Sequence, residues 1–159
     1  MGRLRFYFDG LRHFFVAHSR HGTHSPFVYR LVDEVIYAKR LPGEPRDKAK
    51  RLTARLIDRF QPDMVFILAN EPIPTARPDF VIVDAGTLEE PVAQLEALWP
   101  QLHAGSVMVL PGIYRDTGAK ALWKSIKIKP EVTVTIDLFH VGLVFFHAGQ
   151  CKEDFKIRY

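Results

Sequence analysis

The chain has 159 residues, 47% hydrophobic and 25% charged, which fits one domain of ordinary size and excludes a disordered, collagenous or coiled-coil chain. No apolar run approaches the roughly 20 residues of a membrane-spanning helix. The single cysteine, Cys151, excludes an internal disulfide and a multi-cysteine metal site. The net charge of +4 hides an asymmetry, since residues 1–60 hold 13 Lys/Arg against 6 Asp/Glu and residues 61–159 hold 9 against 12.

A basic N-terminal third can attract nucleic acid or an acidic partner, or it can be a solvated helical face. Asp9, Arg12 and His13 break any signal-like apolar core near the start, and Gly2 is followed by Phe6 where myristoylation needs Ser or Thr. A bacterial-type cytoplasmic protein with no membrane partner is expected.

Residues 1–60 read as a basic helical segment and residues 61–159 as an α/β core, together forming a single domain. Leu4 to Ala17 has apolar residues at helical spacing. Its Phe6, Tyr7, Phe14 and Phe15 are expected to pack onto the sheet, with base stacking beside arginines as the lesser reading. Ser25-Pro26 reads as N-cap and N1 of a second helix, with Phe27, Leu31, Val32, Val35 and Ile36 as its buried stripe, and Leu41-Pro42-Gly43 ends it. A third helix runs from Arg46 to Phe60, with Leu52, Leu56, Ile57 and Phe60 inward and Lys48, Lys50, Arg51 and Arg55 on the other face.

Strands follow at 64–69, 80–83 (ending at Asp84) and 106–110, with helices at 88–102 and 117–128 between and after them. Segments 132–138 and 141–147 form a closing antiparallel pair joined through Phe139-His140. The expected fold is an α/β sandwich with about five strands, mostly parallel with an antiparallel C-terminal strand, ordered 64–69, 79–84, 106–110, 141–147 and 132–138 at the edge.

Three segments, His21-Gly-Thr-His-Ser-Pro-Phe-Val-Tyr29, Phe80-Val-Ile-Val-Asp84 and Val132 to Phe146, carry a resemblance to bacterial class I S-adenosylmethionine-dependent methyltransferase-like proteins, and the tail Lys152 to Tyr159 looks similar too. The resemblance implies a truncated Rossmann-like methyltransferase sheet. It also exposes what this chain lacks. The family follows its first strand with an acidic residue and a Gly-rich turn against the cofactor. Here stands Asn70-Glu-Pro-Ile-Pro-Thr-Ala-Arg-Pro78, with no glycine and three prolines. Nine residues hold no crossover helix, so the strands expected to carry the ribose-holding acid and the adenine contacts have no room. The Asp-Gly-Asn-His expected after the middle strand reads Asp84-Ala-Gly-Thr87, and the paired acids expected after the next strand are Leu110-Pro111. Asp84 and Gly86 remain as candidate ligand-facing residues at a strand carboxyl end, with a helix N-cap role for this region as the alternative.

His13, His18, His21 and His24 lie within twelve residues, but Gly22 argues against a shared helical face, so no metal site is expected. His21, His24 and Ser25 are expected to shape the turn before the second helix. Asp137 and His140 are expected to have a structural role, with Asp137 or His140 satisfying backbone groups of the C-terminal hairpin. With its neighbouring strands missing, 64–69 becomes a sheet edge. Val65, Phe66, Ile67 and Leu68 are then expected to pair antiparallel with a second copy in a homodimer, unless the proline-rich loop or the N-terminal helix folds over the edge. The function expected is that of a degenerate methyltransferase-like scaffold acting in binding or assembly, with no catalytic residue and no cofactor. One alternative is an active methyltransferase whose S-adenosylmethionine site is altered or completed by a protein partner. The second is a nucleic-acid-binding module using the basic N-terminal third.

Overall fold

A computed structural model describes residues 2–17, 25–69, 72–84, 86, 90–149 and 151–159. Helix α1 (Gly2–Val16) is followed by α2 (Pro26–Leu31), which continues into a π-helical turn (Val32–Ile36), and by α3 (Lys48–Phe60). Then come β1 (Val65–Leu68), β2 (Phe80–Val83), α4 (Pro91–Leu98) with a 3₁₀ turn (Trp99–Gln101), β3 (Val107–Pro111), α5 (Thr117–Lys127), β4 (Val134–Asp137), β5 (Val141–Phe145) and β6 (Glu153–Lys156). The fold is α/β, built on one mixed sheet of order β1-β2-β3-β5-β4-β6. The pairs β1·β2, β2·β3 and β4·β6 are parallel, and β5 is antiparallel to both of its neighbours.

The sheet is covered on both faces, as its near-continuous apolar strands require. One face packs on α2, its π turn and α3 through Val28, Leu31, Leu52, Leu56, Val109, Ile136 and Phe145. The other packs on α4 and α5 through Leu68, Val83, Leu95, Met108, Leu122, Trp123 and Val144. The layers meet most closely at Gly142 of β5, where an added Cβ would lie 2.7 Å from the Trp123 ring and 3.0 Å from Ile113. A hydrogen is the only substituent that fits beneath that indole.

Four expectations need correction. The 132–138 strand is not an edge, because β6 pairs with β4 on its far side. Thr135 and Lys127 both reach Asp154 of β6 on one face, while Phe155 and Tyr159 pack against the core on the other. Ser25 stands at the N-cap of α2 with extended backbone, but its side chain makes no capping bond there; its carbonyl accepts from Tyr29 N at 2.9 Å. The helix expected to run on toward Leu41 ends at Ile36. The aromatic stripe of α1 does not pack onto the sheet. Phe6, Gly10, His13 and Ala17 face inward, whereas Tyr7, Phe14 and Phe15 are exposed together with Leu4, Phe8 and Leu11.

Candidate functional site

The hairpin between β4 and β5 anchors α1. Asp137 closes β4, is 1% exposed, and receives a hydrogen bond on each carboxylate oxygen. His13 Nε2 lies 3.0 Å from Oδ1 and 3.1 Å from the Asp137 carbonyl. Both groups are acceptors, so Nε2 carries the proton. The Tyr114 hydroxyl donates to Oδ2 at 2.7 Å, and the Phe139 amide donates to Oδ1 at 3.0 Å. Phe139, at φ 66°, turns the chain, stacks on Tyr114 with ring centroids 5.1 Å apart, and fills the space beside Gly10 of α1. Burial pushes the Asp137 carboxyl up, but the hydrogen bonds from His13, Tyr114 and Phe139 outweigh it and leave the carboxyl below its ordinary value. Burial, and next the Asp137 charge, pushes the Tyr114 hydroxyl up. Both carboxylate oxygens of Asp137 are taken up within the cluster, which ties helix to hairpin. Asp137 thus satisfies the turn as expected, with Phe139 as its backbone partner. His140 serves it through its main chain, donating to the Leu138 carbonyl at 2.8 Å and accepting from Gly112 N at 2.7 Å.

The candidate site is a cleft of about 940 Å³ at the carboxyl ends of the parallel strands, where ligands of open α/β sheets bind. Its floor is Ile67, Ile82, Asp84 and the Pro111-Gly112 turn. Its wall runs from Arg46 and Asp47 along α3 as far as Ile57, and His140 closes one end. The wall is fixed by Arg55, whose guanidinium forks onto Glu44 at 2.6 and 2.7 Å and caps the carbonyls of Val35, Ala38 and Lys39 at 3.1, 2.8 and 2.9 Å. Arg55 is therefore not part of the solvated face of α3. Its hydrogen bonds hold the Glu44 carboxyl down at about 2. Burial, then the Lys48 charge, lowers the His140 imidazole.

Asp84 and Gly86 do come together here. Asp84 Oδ1 accepts from Gly86 N at 3.1 Å and lies 3.9 Å from Arg115 Nη1. The guanidinium covers Gly86, and Asp84 does not cap α4, whose N-cap position is Glu90. The Asp84 carboxylate thus lies beside Arg115, whose Nε is held by Asp116 at 3.0 Å; no sequence spacing marked Arg115. His21 and His24 lie outside the described residues, as does His18. Among the described residues, no group of three or more His, Cys, Asp or Glu is gathered to hold a metal ion, and no helix is long and apolar enough to cross a membrane.

β1 stands at the sheet edge. Phe66 and Leu68 point into the core beside α4, while Val65 and Ile67 are 41% and 53% exposed on the α3 side. The Met64 carbonyl accepts from Asp79 N and Phe80 N, so main-chain groups of alternate residues from Met64 face β2 and those of Val65 and Ile67 face outward. Of the four expected edge residues, two therefore offer side chains and backbone to a partner. The other two belong to the core. Helix α1 packs on the β4–β5 hairpin.

No protein-family model, curated protein or solved structure matches the chain.

Proposed function

We propose that the chain is a degenerate methyltransferase-like scaffold that has lost the half of its sheet that would hold S-adenosylmethionine and acts by assembly through β1. The observation that carries this reading is the bare β1 edge. β1 joins its parallel neighbour β2 over residues 69–79, whose described residues hold no helix, and among the described residues no strand pairs with its far side. The order β1-β2-β3-β5-β4 with only β5 reversed supports a methyltransferase-like ancestry, as do helices on both faces. Asp84 is paired with Arg115 and no second acid stands at the end of β3, which supports a non-catalytic role.

An exposed apolar edge strand pairs readily with another chain, and a two-fold axis beside β1 continues one sheet through both subunits. Sedimentation velocity at micromolar concentration tests this. The wild type is expected to run as a dimer and Ile67→Pro as a monomer, because that substitution removes an outward N–H and leaves the β1·β2 ladder intact. Phe66→Lys is unsuitable, since Phe66 lies in the core. A monomeric wild type refutes assembly through this edge, and a dimer indifferent to Ile67→Pro refutes the interface.

A further inference from the structure

The apolar face of α1 points the wrong way for a helix that serves only the core. Leu4, Tyr7, Phe8, Leu11, Phe14 and Phe15 fall within an arc of about 120° at 100° per residue, opposite the inward residues Phe6, Gly10, His13 and Ala17. Leu4 is 82% exposed, Phe8 71% and Phe15 74%. One shoulder of this stripe is a polar cleft lined by Arg5, Arg12, Lys120, Lys124 and Lys156, with Asp9 as the one carboxylate in its lining. Asp9 is taken by Lys120 Nζ at 2.6 Å. On the C-terminal side, the Arg158 guanidinium lies over the Phe14 ring, 4.7 Å from its centroid.

We infer that α1 lies flat in the surface of an anionic lipid bilayer, its stripe entering the headgroup–acyl boundary and the Arg5/Arg12/Lys124/Lys156 cleft meeting lipid phosphates. An interfacial helix needs one apolar face and cations beside it, not the length of a membrane span. The expectation of no membrane partner came from the lack of a long apolar run, a signal-like core and a myristoylation motif, none of which bears on a helix lying flat. Charge decides among occupants. A second copy laid stripe to stripe would bring cationic shoulders together, and α1 offers no acid besides the Asp9 already paired. The stripe is also convex and rich in aromatic rings, which suits a planar interface better than a groove in a protein. This inference does not depend on the β1 edge.

The test is co-sedimentation of the full chain with vesicles of phosphatidylcholine alone and of phosphatidylcholine mixed with phosphatidylglycerol. The wild type is expected on the mixed vesicles and not on the neutral ones. Phe8→Ser/Leu11→Ser is expected to weaken binding by at least about tenfold. Arg5→Gln/Arg12→Gln is expected to weaken it by about thirtyfold at low salt, with salt releasing the wild type. Phe8 and Leu11 are exposed away from the Asp137 cluster, whereas Arg5 and Arg12 line the same cleft as His13 and Tyr114, and an unchanged melting curve verifies each fold. The inference is overturned if the wild type stays off both vesicles, or if both double variants bind as well as the wild type. It is also overturned if the chain is retained on a polyglutamate matrix and not on lipid, or if self-association is lost in Phe8→Ser/Leu11→Ser but kept in Ile67→Pro.

Discussion

Asp137→Ala is expected to lower the unfolding free energy by about 3–5 kcal/mol, the cost of removing one member of a buried hydrogen-bonded charge network. The substitution strips the Tyr114 hydroxyl of its acceptor, frees the Phe139 amide and leaves the His13 Nε2–H only the carbonyl of residue 137. Because His13 is then held by that carbonyl alone, the packing of α1 on the hairpin is expected to loosen. Urea unfolding followed by far-ultraviolet circular dichroism measures the loss. The double variant with His13→Ala is expected to cost less than the two single losses added, since the groups share one network. The dependence on pH has a definite sign. The folded-state value of Asp137 is depressed, so its contribution is present above the ordinary carboxylate value, about 4, and fades as pH falls through the lower folded value. The wild type is therefore expected to lose more stability below about pH 4 than Asp137→Asn does. A stability for Asp137→Ala within about 1 kcal/mol of the wild type contradicts this role.

Arg55→Ala is expected to cost about 2–3 kcal/mol, because one side chain satisfies both Glu44 oxygens and three carbonyls of the segment leading to α3. Arg55→Lys is not expected to restore it. An ammonium lacks the planar fork that meets a carboxylate on two oxygens and reaches carbonyls beside it. The loss should be local as well as global, so limited proteolysis is expected to cut within residues 37–46 in the variant and not in the wild type. Glu44 adds an acid limb. Its contribution is complete above its ordinary value of 4.5 and is lost as pH falls toward about 2, a fall that Arg55→Ala should flatten. Unchanged melting and cleavage in Arg55→Ala contradict the assignment.

Most of the fold was legible because strand and helix periods are local. Phe80–Val83 and Val107–Leu110 read as buried strands, the helix starting at Thr117 begins where expected, and the tight Phe139-His140 link gave the antiparallel pair. β6 was not legible, because Glu153-Asp154-Phe155-Lys156 is three-quarters charged and takes its place from pairing with β4 rather than from apolar alternation. The spacing of α1 revealed a stripe but not its direction. Direction was decided by Gly10 and His13, a small residue and a polar one, which let the opposite side of the helix approach Phe139 and Asp137. At the cleft, Asp84 was visible as an acid at a strand end, but Arg115 was not, since ion pairs between distant loops leave no spacing in the sequence. Arg55 read as one of several surface cations for the same reason. Its partners lie 11 to 20 residues away.

The proposed lack of S-adenosylmethionine binding in the cleft at the carboxyl ends of β1, β2 and β3 is tested most directly by isothermal titration of the wild-type chain with that cofactor and with its demethylated product. No saturable heat is expected for either compound at protein concentrations in the tens of micromolar, with the wild-type oligomer verified in the same buffer. Saturable binding at micromolar concentration, weakened by a substitution at Asp84, would contradict it and would make the chain a working methyltransferase-type binder.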